Sequence, residues 1–260
     1  MRLPLPPSWR RTATQKPPRI YAIGDIHGRL DLFEDIIERI RIEVLDSEAQ
    51  PTKIVILGDF VDRGPQSAQI IELLMCLRKE RSLVVLKGNH EAIMVDALAG
   101  DYAALDLWLA HGGGATLRSF GIEQGDIDGD HGPSFLRTAR MAIGNDVRRW
   151  LAQLPTWVRI GDYYLVHAGI MPGVALDQQT DEHRLWIGDA FTTSDADHGA
   201  VIVHGHTIYE EGVMILPNRI GVDTGAYRTG RLSAVGLGDG IWTITADGNN
   251  VKRDARAIDQ

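Results

Sequence analysis

The sequence predicts an α/β fold on three observations. Short apolar runs of β-forming residues recur along the chain, amphipathic helical periods separate the early ones, and most runs end in a polar residue beside a glycine. Apolar runs of four or five residues suit strands buried on both faces. A β-α-β-α-β alternation suits a sheet covered by helices.

In chain order, RIYAIGD at 19–25 reads as the first strand. Leu30, Phe33, Ile36, Ile37, Ile40 and Val44 then recur at helical spacing, so 30–45 is an amphipathic helix. KIVILGD at 53–59 is the second strand, 66–80 a second helix carried by Ile70, Ile71, Leu74 and Leu77, and LVVLKGN at 83–89 the third strand. Residues 92–155 change character. Short helices are expected at 91–99, 101–111, 133–141 and 144–154, with a Gly/Asp loop at 121–133. This block reads as an inserted helical cap, a common seat of substrate selectivity. Strands resume with YYLVHAG at 163–169, AVIVHGH at 200–206 and RIGVDTG at 219–225. LSAVGLG and IWTITAD close the chain as a strand pair around a Gly238–Gly240 turn.

The 260 residues suit one domain at 19–250, with a flexible Pro- and base-rich arm at 1–18 and a tail at 251–260. A net charge of -8 argues against nucleic acid as a partner. It leaves phosphate substrates open, because bound cations reverse the local field. No run approaches the roughly 18 apolar residues of a membrane span. Prolines stand where a signal peptide needs an apolar stretch, and the single cysteine excludes a disulfide within the chain, so a cytoplasmic location is expected. Cys76, in the apolar run ELLMCLRK, is expected to be a buried thiol.

The polar residues carry the chemistry. Asp25 and His27 follow the first strand, Asp59 the second, Asn89 and His90 the third, His167 the fourth, and His204 and His206 the fifth. Ligands gather at the carboxyl ends of strands in α/β sheets, so these side chains are expected to converge. Carboxylate, imidazole and amide oxygen suit Mn, Fe or Zn, and Ni is also compatible. There are too many for one ion. Two ions sharing a bridging carboxylate would use them, lower the pKa of a bridging water, and clamp an in-line displacement at phosphorus.

GDIHG, GDFVDRG, GNHE, HAG and HGHT, in this order, resemble the phosphoprotein phosphatase branch of the calcineurin-like metallophosphoesterases, over roughly 20–235. The resemblance implies a β-sandwich of two mixed sheets flanked by helices, with a dimetal centre at its edge. It implies that Asp25 and His27 bind the first metal, that Asp59 bridges, and that Asn89, His167 and His206 bind the second. His204 then supports the ligands. His90 resembles the general acid, Asp62 its orienting partner and Arg63 a phosphate clamp, with a bridging hydroxide as nucleophile. The implied partner is a phosphorylated protein or a small phosphoester, with no nucleic acid or membrane.

One departure stands out. Relatives carry a second phosphate-binding Arg between HAG and HGH, where this chain reads HRLWIGDAF with Gly188. Arg184, four residues earlier, is a candidate replacement. HGGGATLRSFG at 111–121 resembles a GG-x-x-TL pattern in the cap of bacterial relatives, and equally reads as a glycine helix terminus before a short helix. Tyr227 in GVDTGAYRTGRL could touch the phosphate or simply pack. The expected activity is that of a serine/threonine protein phosphatase. The alternatives are a symmetrical dinucleoside tetraphosphatase or other small-molecule phosphatase, which Val61 and Glu91 disfavour, a phosphotyrosine phosphatase, and an inactive metal-bound module.

Overall fold

The computed structural model describes residues 18–45, 51–80 and 82–248. The expected arm at 1–18, apart from Pro18, and the tail at 251–260 lie outside the described residues. The element order begins β1 (Arg19–Ile23), α1 (Leu30–Leu45), β2 (Thr52–Ile56), α2 (Ser67–Leu77), β3 (Leu83–Val85). A run of helices follows as α3 (Asn89–Ala99), α4 (Tyr102–Trp108), a kinked turn (Leu109–Gly113), α5 (Gly114–Ser119), α6 (Gln124–Ile127), α7 (Pro133–Ile143) and α8 (Asn145–Ala152), and the stretch expected as the cap, 92–155, begins within α3, after His90. Then come β4 (Trp157–Ile160), β5 (Tyr163–Val166), α9 (Asp181–Trp186), α10 (Asp189–Thr192), β6 (Val201–His204), β7 (Met214–Ile215), β8 (Arg219–Gly221), α11 (Ala226–Thr229), β9 (Arg231–Leu237) and β10 (Ile241–Asp247).

Among the described residues the strands form two mixed sheets of five, in the orders β10-β9-β1-β2-β3 and β4-β5-β6-β8-β7. Alternation along each strand decides which face meets which layer. Ile20, Ala22, Val55 and Leu57 of the first sheet pack with Leu165, Val203, Ile220 and Val222 of the second, which makes the sandwich core. Tyr21, Ile23 and Ile56 point the other way, onto Leu32, Phe33, Ile36 and Ile40 of α1 and onto α2 and the cap. On the far side, Tyr164, Val166 and Ile202 are covered by Phe191 and Ile187.

The expected strands are present but shorter than the motif runs. β1 ends at Ile23 and β2 at Ile56 because the residues beyond leave the ladder: His27 and Asp59 take left-handed φ values of 45° and 49°. β4 and β7 were not expected. β4 is a half-exposed edge strand and β7 has two residues, so neither shows the apolar run that marks a central strand. The 121–133 loop contains the short helix α6, and α9, α10 and α11 are likewise too short for periodicity to reveal. Cys76 corrects the expectation of a buried thiol. Ile70, Ile71 and Leu74 form the buried stripe of α2, and position 76 falls on its exposed face.

Candidate metal centre

The loops after β1, β2, β3, β5 and β6 meet at one rim of the sandwich. Their backbones are knitted together: His27 and Ile26 donate N–H groups to the Asp59 carbonyl at 2.9 and 3.1 Å, and Gly205 donates to His167 at 2.8 Å. Among the described residues, five non-glycine positions adopt positive φ, and all lie in these loops: His27, Asp59, Asp62, Arg63 and His206. Such conformations cost of order 1–3 kcal/mol each and persist only where surrounding structure over-determines them. Close approach requires Gly88, because a Cβ there would lie 2.1 Å from Asp59 Oδ1.

Two overlapping groups could each hold an ion: His27, Asp59 and His90, and Asp59, His167 and His206. Asp59 belongs to both, the position of a bridge. Asp25 lies alongside, its carboxylate accepting the His206 backbone N–H at 3.1 Å. The imidazole hydrogen bonds fix which nitrogen faces inward. His27 directs Nδ1 to the Val61 carbonyl at 2.8 Å and His167 directs Nδ1 to the Leu57 carbonyl at 2.9 Å, so each presents Nε2 to the centre. The His167 Nε2 then stands 2.8 Å from Asn89 Oδ1 and 3.4 Å from Asp59 Oδ1. Three lone-pair donors facing one another suit a shared cation.

The electrostatics agree. Burial pushes His27 down to about 3 and His206 to about 4, and lowers His167, keeping the imidazoles in the neutral form that metals bind. Burial also raises Asp25 well above the usual carboxylate range, reinforced by the Asp223 and Asp59 charges. Asp59 is opposed by burial, yet His167, His90, His27 and His206 together hold it below that range. Carboxylates this crowded are a charge deficit that divalent cations fit.

Around this cluster lie the other predicted residues. His90 directs Nδ1 to Asp62 Oδ2 at 2.7 Å. Burial lowers the His90 pKa, but Asp59 and Asp62 outweigh it and raise the value. Arg63 reaches His27 Nε2 at 2.8 Å and His90 Nε2 at 2.9 Å, with its guanidinium 4.4 Å from the Tyr227 ring centroid. Tyr227 therefore borders the centre. Arg184 is not brought there. Its guanidinium is held by Tyr164 at 3.0 Å and Asp181 at 3.1 Å, over Trp157, on the outer side of the second sheet. His204 is fully buried against Phe191 and Tyr209, behind the ligand rim.

Sequence reasoning assigns no role at the centre to two acidic residues found there. Asp223 follows β8 as the other candidates follow their strands; burial raises it to about 6. Glu91, third in α3, accepts the Gly88 N–H at 2.7 Å, a capping geometry that a glycine three residues before a glutamate could have signalled. Burial, then Asp59, pushes Glu91 up to about 8.

A family model of calcineurin-like phosphoesterases matches residues 18–228. The chain belongs to this family. It is a metal-dependent hydrolase of phosphoric esters. Among its relatives, this calcineurin-like phosphoesterase is 26% identical over 220 residues to serine/threonine-protein phosphatase 2 of Escherichia coli K12, covering 82% of this chain and 90% of the other. It is 27% identical over 230 residues to an asymmetrical bis(5'-nucleosyl)-tetraphosphatase of Anoxybacillus flavithermus, covering 82% and 88%. A solved structure of a provisionally assigned diadenosine tetraphosphatase superposes with a TM-score of 0.58 at 22% identity, over 94% of this chain and 98% of that one. That likeness carries the fold, two mixed sheets flanked by helices.

Proposed function

We propose that this phosphoesterase is a protein phosphatase acting on phosphoserine and phosphothreonine. The supporting observation is the buried His90–Asp62 pair, with 2.7 Å between Nδ1 and Oδ2. Serine and threonine leave as poor alkoxides and need a proton in the transition state, whereas a nucleotide leaves as a phosphate that needs little help. An aligned imidazole beside the centre supplies that proton from Nε2. Asp62 holds the ring with Nδ1 occupied and favours its charged form.

Asp25 and His27 would hold one ion, Asn89, His167 and His206 the other, with Asp59 shared. Manganese is the proposed metal, because the mixed O and N donors suit it. When bound, such ions supply an activated water and charge stabilisation at phosphorus. Arg63 turns from the two imidazoles to the phosphate oxygens, which its planar fork matches. Tyr227 borders the same space.

The test compares purified protein with Mn²⁺ on phosphoserine, phosphothreonine and phosphotyrosine peptides and on dinucleoside tetraphosphates. Higher kcat/KM on the phosphoserine or phosphothreonine peptide is expected. A preference for the dinucleotides would favour the second reading, which the Anoxybacillus relative supports.

A further inference from the structure

We propose that the cap holds the general acid in place: Trp108 and Thr116 are positioning residues that orient His90 through Asp62. This rests on the reading of His90 as proton donor.

Asp62 is fully buried, and most of its side-chain donors come from the cap. The Trp108 indole N–H lies 2.9 and 3.1 Å from its two oxygens. The Thr116 hydroxyl donates to Oδ1 at 2.6 Å and accepts the Asp62 backbone N–H at 2.9 Å. Thr116 thereby locks the side chain against its own backbone, which sits at a φ of 71°. An aspartate bonded to a histidine alone could swing about its terminal torsion. With Trp108 and Thr116 attached, Oδ2 has one orientation, and the imidazole follows it. Hydrogen bonds to an ionised group are about twice as strong as neutral ones, so these anchors are firm.

The cap is shaped for this contact. Trp108 and Thr116 flank a kinked turn at Leu109–Gly113, where the helical path breaks at Gly112. Within that turn Gly112 has a φ of 106°, and its carbonyl accepts the Arg63 N–H at 3.2 Å. A Cβ at Gly112 would stand 2.9 Å from Arg63 N, so only glycine lets the turn sit on the loop that carries Asp62 and Arg63. The GG-x-x-T segment is thus more than a helix terminus. The turn that seats the Arg63 backbone thus belongs to the same segment that fixes the acid.

A structural role alone would lower activity equally on every substrate. A positioning role makes the loss grow with the leaving group's need for a proton. The experiment measures kcat and KM over a series of aryl phosphates from p-nitrophenyl to phenyl, and on a phosphoserine peptide. Thr116→Val is isosteric and lacks the hydroxyl; Thr116→Ser keeps it. Thr116→Val is expected to lower kcat by about 10–100-fold on phenyl phosphate and the peptide, and far less on p-nitrophenyl phosphate, with KM and metal content unchanged. Thr116→Ser is expected to restore the native profile. In Zn²⁺-loaded protein labelled with ¹⁵N-histidine, the His90 Nδ1 proton should exchange faster with solvent in Thr116→Val only. If Thr116→Val does not fold, Trp108→Phe removes the other donor and carries the same comparison. His90→Ala serves as reference. A flat His90→Ala profile overturns the proton-donor reading and this inference with it. A steep His90→Ala profile beside a flat Thr116→Val profile overturns this inference alone, as does failure of Thr116→Ser to restore the native profile.

Discussion

The Glu91 carboxylate accepts the backbone N–H of Asp59 at 2.8 Å, and the same two oxygens accept from Phe60 at 2.9 Å, Val61 at 3.2 Å and Gly88 at 2.7 Å. One buried side chain therefore pins the loop that presents the proposed bridge. Glu91→Gln keeps the shape but turns an N–H₂ group toward backbone donors. Each buried N–H left without an acceptor costs about 1–3 kcal/mol. The expected outcome is a lower Tm and metal affinity weakened by about 10–100-fold, with native circular dichroism. Metal titration that matches the native protein would remove this role from Glu91.

Asp59→Asn and His90→Ala should separate metal binding from proton transfer. Both are expected to fold. Asp59→Asn weakens both sites, because its carboxylate is common to the two ligand groups. His90→Ala should keep both ions and lose about 10²–10⁴-fold in kcat on phosphoserine peptides, the usual worth of a placed acid. Near-normal turnover by either purified protein would refute its assigned role.

Acid should destabilise the fold through buried neutral histidines. Burial pushes His204 down to about 3, and Nε2 has no hydrogen-bond partner among the described residues. The unfolded imidazole titrates near 6.5. Between these values the unfolded chain binds more protons, so this contribution is complete above pH 6.5 and is lost progressively as pH falls toward 3. Urea unfolding at pH 7, 6 and 5 should show falling stability. His204→Leu should flatten that dependence; parallel pH profiles for the two proteins would contradict it.

Gly188 is the place to add a phosphate contact. It lies just before α10 with φ −115° and ψ −120°, and a Cβ there meets none of the described residues within 4 Å. Arg184 is committed to Tyr164 and Asp181. Gly188→Arg should therefore fold without a clash, at a backbone cost of about 1–3 kcal/mol because this φ/ψ lies outside the regions open to L residues, and raise kcat/KM by about tenfold or more, the worth of one charged hydrogen bond of about 1.5–3 kcal/mol. Unchanged kcat/KM in a folded, metal-replete variant would show that position 188 does not face the phosphate.

Much of the layout was legible from residue order. Strand periodicity located β1, β2, β3, β5, β6 and β8, and the strand-end rule brought Asp25, His27, Asp59, Asn89, His167 and His206 to one rim. The edge strands β4 and β7 and the four- to six-residue helices α6, α9, α10 and α11 were not legible, because they carry too few apolar positions for a period to emerge. Arg184 and Gly188 show the same limit for the site. Sequence distance suggested a replacement, but a guanidinium goes where its acceptors and aromatic partner lie, and those are contributed by β4, β5 and α9.

Residue order alone sets the chemistry available at the rim: which donors follow which strands, and hence a centre suited to divalent cations and phosphate. That information is local, since it depends on residue type and strand period. How those groups are held depends on contacts that exist in the folded chain alone. Glu91 reaches back across two loops to the Asp59 backbone, and Trp108 and Thr116 come from the cap to Asp62, 46 and 54 residues away in sequence. Hydrogen bonds between positions so distant leave no periodic trace in the chain. They exist because burial strips these carboxylates of water and obliges them to find donors within the fold.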